Sequence, residues 1–306
     1  MQGREHIRAL AQLVRLPNVF TAWADIGLGY AVTHQGFPSS MDAWCQFSLV
    51  LLCSSCFYTS GMALNDFADV QVDAKERPLR PIPSGRVQRK TAGCIGWGLL
   101  AIGLLVCLFY SLWVGPGPCI AGGALAISIV AYNFGLKAYW FGPWGMGLCR
   151  TWNVLLGASD TQLWNQFAAY AALIVGMYIA GVSLMAKDEA NESGGRLIPL
   201  GIGVMVTSLL LVLLLPWIAP GASGAAQQMF VTLLMVLAFS AYLTVWVWRK
   251  ALATEPTKTQ QSIKWAILGL IGLDTILAFI VIGATAWVLM ICAIPAWALS
   301  RWLYMT

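Results

Sequence analysis

Charge is what this sequence has least of. Only 10% of its 306 residues are Asp, Glu, Lys or Arg, whereas a soluble domain carries about 25%. So little polar side chain cannot cover a surface in water, which excludes an ordinary soluble globular domain. Histidine is nearly absent, at two residues, and most of the eight cysteines fall inside apolar runs. Cys53 and Cys56 form one CxxC with no second pair and no His beside it, so small-residue packing between helices explains them better than zinc. No low-complexity tract or heptad repeat is present. The net charge of +5 follows from a one-sided distribution of Lys and Arg described below and does not imply nucleic-acid binding.

What fills the chain instead is hydrophobic sequence, 59% of residues at a mean hydropathy of +0.72. Apolar runs of membrane-spanning length recur at 17–34, 44–64, 91–113, 117–134, 143–160, 165–186, 197–217, 228–248, 263–282 and 285–303. The last two are continuous in hydropathy and as one helix would reach ~60 Å, about twice the hydrocarbon thickness, so a break near Gly283 is expected. With ten helices, all 18 Lys and Arg residues fall on one side of the bilayer, which makes both termini cytoplasmic. Basic residues before the first run imitate a signal peptide. Asp25 within it and the lack of a small-x-small cleavage site mark it instead as a retained helix. The expectation is an all-α, polytopic transmembrane bundle, one integral membrane domain over 1–306, in a bacterial inner (plasma) membrane.

The scarce charges gather at 65–85, NDFADVQVDAKERPLRPIPSG, with acids first and bases after. Asn65, Asp69 and Asp73 are spaced i, i+4, i+8, which continued from the second apolar run places them on one helical face. Asp66 points elsewhere, where it could cap or orient a ligand. Hard oxygen ligands in a short cluster suit Mg²⁺, which keeps waters and shares few carboxylates with substrate phosphates. For one such cluster the plain reading is a helix end entering water. A second one, Asp188 and Glu192 with Glu189 adjacent, ends the sixth run on the same membrane side and favours a shared cation site.

Lys75, Arg77, Arg80 and Arg86 follow the acids at once, in a backbone stiffened by Pro78, Pro81 and Pro83. Arg86, Arg89 and Lys90 read as membrane anchoring by positive charge. Arg77 and Arg80, so close to the acids, read as a receptor for a multiply charged phosphate group. Tyr132, Asn133 and Lys137 add to the same face. A diphosphate site at the mouth of an apolar bundle implies a diphosphate on a lipid tail, with metal ions and cations stabilising its departure.

These residues resemble the UbiA-type intramembrane prenyltransferases. That family's NDxxDxxxD motif is matched by Asn65, Asp66, Asp69 and Asp73, and its Arg-x-x-Arg-Pro-x-x-Ser-Gly by Arg77, Arg80, Pro81, Ser84 and Gly85. Its second DxxxD motif is matched by Asp188 to Glu192, with Glu in place of the final Asp. RLPNVFTAWAD at 15–25 and YNFGLK at 132–137 look closest to the EboC branch. The resemblance implies a nine-helix core, to which the tenth, C-terminal helix is an addition. It implies Mg²⁺-dependent transfer of a prenyl group from an isoprenoid diphosphate donor to a lipophilic or aromatic acceptor, for which an aromatic ring, a quinone precursor, a polyol or a lipid would all fit, with membrane lipids around the protein and no nucleic-acid partner. Asn65, Asp69, Asp73, Asp188 and Glu192 would serve the metals, the four carboxylates acting in catalysis. Arg77, Tyr132, Lys137 and Lys187 would serve the diphosphate, with Arg80 beside them. The Tyr132–Lys137 interval is one residue longer than in several relatives.

Within the apolar segments, Asp25 and Asp274 are expensive and expected at a cavity, where Asp25 and Asn18 are candidates to meet an acceptor. Arg150 either reaches phosphate or snorkels. A non-catalytic isoprenoid-diphosphate or lipid carrier would use the same acid and basic blocks. A CDP-alcohol phosphotransferase needs a DGxxAR string, which is absent, and an ion transporter would have no use for the Arg/Pro block.

Overall fold

A computed structural model of the chain describes residues 2–161, 165–189, 197–218, 226–252 and 256–303. Among them every regular element is helical. A surface helix α1 (Gln2–Leu13) leads through a short 3₁₀ turn into α2 (Val19–His34), and then come α3 (Met41–Ala68) and α4 (Val70–Glu76). The bundle continues through α5 (Arg89–Val114), α6 (Gly117–Phe134), α7 (Gly142–Gly157), α8 (Gln166–Glu189) and α9 (Leu197–Ile218). Its last part is α10 (Ala226–Tyr242), which widens into a π-helical stretch and a final turn α11 (Arg249–Ala251), then α12 (Pro256–Ile282) and α13 (Ala293–Leu303).

Each of the ten apolar runs is helical in this structure. Seven spans among the described residues are long and apolar enough to cross a membrane. α2 and α7, at 16 residues each, are shorter, about 24 Å of helix. The continuous run 258–303 is divided where expected: Gly283 takes φ +60°, and a 3₁₀ segment Gly283–Cys292 follows it. Without a Cβ, Gly283 occupies this left-handed conformation at little cost, so the rod turns here instead of projecting past the bilayer. The protein is a multi-pass integral membrane protein.

Small residues set the closest helix crossing. A Cβ on Gly29 of α2 would land on the Val154 carbonyl oxygen of α7, and one on Gly157 would land on the Ile26 carbonyl oxygen. This backbone approach lets the polar side chains of α2 and α7 bond directly across the interface. The two chain ends and the acid-rich stretch share one end of the bundle, since α1 bonds both the 77–88 loop and the last turn of α13. At the other end Tyr110 of α5 donates to Asp160 after α7 at 3.1 Å, and His34 of α2 sits 3.4 Å from the same carboxylate.

Overpacking the crossing tests its importance. Gly157→Val forces α2 and α7 apart and is expected to cost about 1–3 kcal/mol. The readout is a lower thermal unfolding midpoint in detergent, whereas Gly123→Val, at a position with open space around it, should leave the midpoint unchanged.

Candidate active site

The acid motif straddles a helix break. α3 ends at Ala68, Asp69 adopts φ −88° and ψ 7°, and α4 resumes at Val70. Backbone periodicity survives the break: the Asp69 N–H bonds the Asn65 carbonyl (3.0 Å), Asp73 bonds Asp69 (2.8 Å) and Arg77 bonds Asp73 (2.8 Å).

The three motif side chains nevertheless divide into two groups. Asn65 donates its amide to Asn133 Oδ1 at 3.1 Å, which leaves its own carbonyl oxygen as a donor atom for a cation. Asp69 pairs with Lys137 at 2.6 Å, its side chain a quarter exposed. Asp73 turns away, buried, and accepts from Arg80 Nη1 at 2.6 Å; Arg77 lies 3.9 Å off its other oxygen. The same Arg80 nitrogen donates to Asp66 at 3.2 Å. Helix geometry explains the split. Four residues overshoot a full turn by about 40°, so Asp73 has drifted about 80° from Asn65, whereas Asp66 and Asp73, seven apart, differ by only about 20°. The expectation of one face for Asn65, Asp69 and Asp73 is corrected accordingly, and Asp66 joins Asp73 as part of a buried pair instead of pointing away.

Arg80 therefore bonds two acids, and burial together with the neighbouring charge of Arg15 draws its pKa below the ordinary value against the pull of Asp66 and Asp73. Arg15 itself, in a left-handed conformation (φ 48°), reaches Asp66 at 3.7 Å. In the sequence Arg15 counts only among the basic residues of one membrane side. The available signal was an Arg one residue ahead of a Leu-Pro turn, where the chain bends back toward the bundle.

Among the remaining expected residues, Tyr132 is half-buried in the last turn of α6, with its ring against Gly145 of α7. Lys187 donates to the Tyr139 carbonyl at 2.8 Å, which brings α8 to the same mouth as Lys137. Asp188 lies in the last turn of α8, while Glu192 lies outside the described residues. Asn18 is half-buried at the start of α2, and its side chain caps nothing. Arg86, read as an anchor, is a staple of its own loop: Nε donates to Ser84 Oγ at 2.9 Å and Nη2 to the Leu79 carbonyl at 2.6 Å.

Asp25 belongs to a buried polar network. It is fully buried and accepts from Arg150 Nη1 at 2.8 Å and from Asn153 Nδ2 at 2.9 Å. Arg150 also donates to Thr21 Oγ1 at 2.9 Å and lies 5.4 Å from the centre of the Tyr58 ring. Ser54 of α3 closes the network on Asn153 at 2.8 Å, and Asp274 of α12, also fully buried, lies within electrostatic reach of Asp25 and Arg150. Arg150 thus neither binds at the mouth nor snorkels; a charge this deep needs an opposite charge, and Asp25 supplies it.

The donor set at the mouth fits a divalent ion in kind. It offers hard oxygens of Asn65 and Asp69 beside cations that neutralise the acids when no ion is bound. Among the described residues no three Asp, Glu, His or Cys side chains gather closely enough to hold a metal by themselves.

The chain has known relatives in sequence and in fold. The profile of the UbiA prenyltransferase family matches residues 19–271. The digeranylgeranylglyceryl phosphate synthase of Methanosarcina mazei is 27% identical over 240 residues, spanning 69% of this chain and 78% of that one. The enzyme of the same name from Saccharolobus solfataricus is 24% identical over 278 residues, 87% and 95% of the two chains. Among solved structures, a digeranylgeranylglyceryl phosphate synthase superposes with a TM-score of 0.62 at 18% identity, over 91% of this chain and 99% of that one. A UbiA homolog from Archaeoglobus fulgidus bound to GPP and Mg²⁺ gives 0.60 at 13% identity, over 88% and 99%. At such identities the superpositions establish the fold.

Two measurements test the ion pairs. Arg80→Ala leaves two buried carboxylates without their cation and is expected to cost about 3–5 kcal/mol, read as a lower unfolding midpoint. Adding Asp73→Asn to it should recover part of that loss. For the deep pair, Arg150→Met and Asp25→Asn should each lower the midpoint, and the double variant should fall less than the sum of the two; additive losses would show that the pair is not coupled.

Proposed function

The chain belongs to the UbiA prenyltransferase family, and from that premise we propose that it transfers a prenyl group from an isoprenoid diphosphate to a membrane-embedded acceptor, with Mg²⁺ as cofactor. The observation that carries this reading is the interleaving of acids and bases at one end of an apolar bundle. Asp69 is paired with Lys137, and Asp66 and Asp73 with Arg80, so metal-binding and phosphate-binding groups occupy one patch.

In this reading Asn65, Asp69, Asp188 and Glu192 hold Mg²⁺, which when bound supplies Lewis-acid charge to the diphosphate. Asp73 sits behind them, held by Arg80, and reaches an ion only if that pair opens. Arg77, whose side chain is about a third exposed and has one long contact, is free to turn to the substrate. Lys137 and Lys187 complete the cationic rim, and Tyr132 in the last turn of α6 would serve the diphosphate beside them. As the bond between the prenyl C1 and the bridging oxygen breaks, negative charge grows on the diphosphate, and cations fixed in advance stabilise it. The acceptor's nucleophilic atom bonds to C1 and releases a proton to water. The apolar bundle keeps the tail out of water, and aromatic faces stabilise positive charge on it.

The acceptor class follows from the relatives. Several proteins matched over most of their length are named digeranylgeranylglyceryl phosphate synthase, which favours the hydroxyl of a glycerol-phosphate type lipid over an aromatic ring. The likeness of residues 15–25 and 132–137 to the EboC branch is a further proposal, which the names of these relatives do not support. The active end faces the cytoplasm of a bacterial inner membrane, in keeping with the Lys and Arg distribution. A carrier without chemistry is the second reading, and the complete set of first-motif ligands argues against it.

Diphosphate release decides between them. Purified protein with geranyl, farnesyl or geranylgeranyl diphosphate, Mg²⁺ and a membrane-lipid extract should release diphosphate and yield a prenylated lipid by mass spectrometry. Asp69→Ala and Asp188→Ala should each lower the rate on the order of 100-fold or more. Mg²⁺-dependent donor binding without turnover in any extract would establish the carrier instead.

A further inference from the structure

The family profile covers residues 19–271, so α1 and α13 both lie outside it. These two segments meet each other at the mouth of the site. Arg8 donates to the Trp302 carbonyl at 3.2 Å, and the Gln12 amide donates to the Leu303 carbonyl at 2.8 Å. The carbonyl oxygen of the same Gln12 side chain accepts from Arg86 Nη1 at 2.6 Å. Gln12 is therefore bonded at once to the C-terminal helix and to the loop that carries Arg77 and Arg80. One turn along the same face, Ala9 and Leu13 are buried against Ile82 and Val87 of that loop, in a small core separate from the main one.

We propose that the two chain ends form a clasp that sets the position of residues 77–88, and that Gln12 is a positioning residue for binding of the diphosphate donor. The inference rests on the diphosphate reading of this loop given above. Its physical basis is that the loop cannot fix its own place. Pro78, Pro81 and Pro83 have no N–H to donate and the loop's backbone bonds are mostly internal, so its location depends on its side-chain ties and on the packing of Ile82 and Val87 against α1. Arg80 ties one end to the acid motif through Asp66 and Asp73. Arg86 ties the other end to α1 through Gln12, and its two remaining contacts stay within the loop. Arg86 also holds the Leu79 carbonyl, between Arg77 and Arg80, so losing the Gln12 tie loosens a brace beside Arg77 and shifts it relative to the diphosphate. Positioning errors near 1 Å are worth up to about 10²-fold.

Gln12 has two halves, and single substitutions separate them. Gln12→Glu keeps an acceptor for Arg86 and gives up the donor to Leu303. Gln12→Lys keeps a donor to Leu303 and repels Arg86. The experiment measures binding of geranyl diphosphate with Mg²⁺ to purified full-length protein by calorimetry, with thermal unfolding in parallel. Gln12→Lys is expected to weaken donor binding about 10-fold, the equivalent of one lost charge-assisted hydrogen bond, while Gln12→Glu stays within about 3-fold of the unaltered protein. A Gln12→Lys protein that binds the donor like the unaltered protein overturns the clasp, whether or not its unfolding midpoint falls, because a merely structural role would move only the midpoint. If Gln12→Lys does not purify in folded form, Arg86→Lys, which cannot satisfy Gln12, Ser84 and Leu79 together, decides by the same criterion. Should the unaltered protein itself bind no donor with Mg²⁺, the diphosphate reading falls and the clasp with it. Donor binding by the unaltered protein with no change in the variant overturns the clasp alone.

Discussion

A charge taken out of water costs several kcal/mol unless an opposite charge and hydrogen bonds replace the lost solvent. In this protein that constraint is met at Arg80, whose one terminal nitrogen serves both Asp66 and Asp73. Because the two acids sit two turns apart on adjoining helices, the bridge fixes the angle between α3 and α4 across the break at Asp69. Because Arg80 belongs to the loop that follows, the same bridge folds that loop back over the bundle mouth. The exposed arm of Arg77, the Lys137–Asp69 pair and the free carbonyl of Asn65 take their places around this fixed point.

Deeper in the bundle the same constraint produces a different result. Asp25 and Arg150 are buried in the interior, so they compensate each other and recruit Thr21, Asn153 and Ser54. The pair joins α2 to α7 at the crossing that Gly29 and Gly157 make close. Buried pairs of this kind contribute little net stability compared with apolar packing, but they tolerate only one register of the two helices. The rigid crossing then supplies a frame against which the mouth can rearrange when its pairs exchange partners.

Much of this architecture was legible in the chain. Ten apolar runs became helical segments because run length against bilayer thickness is a local property, and the break at Gly283 followed from the same arithmetic. The NDxxDxxxD string and the basic block were legible as one site because they are contiguous. The grouping within that site follows from the same helical periodicity, but which cation meets each acid was not legible, because Arg80 and Lys137 are brought to the acids by folding. Arg15, Arg86 and Gln12 stayed hidden because their partners lie 51, 74 and 291 residues from them or wrap around the mouth in three dimensions. The Asp25–Arg150 pair was within reach: one acid and one base, each within an apolar run, are natural partners, and the link was missed because Arg150 was weighed only as a phosphate ligand or a snorkelling cation.

The arrangement also explains how one patch can accept ligands of both signs. Acids and bases that neutralise one another hold the mouth together when nothing is bound. A divalent ion and a diphosphate arrive with opposite charges, so the acids can pass from lysine to metal while the lysine passes to phosphate, and neither side is left uncompensated. Such an exchange favours pairs that are exposed and singly bonded over pairs that are buried and doubly bonded. Lys137–Asp69, with both side chains partly open, belongs to the first kind, and Arg80 with Asp66 and Asp73 to the second. The mouth is thus divided by burial into a part that exchanges and a part that holds, and the acid motif contributes Asp69 to the first and Asp66 with Asp73 to the second.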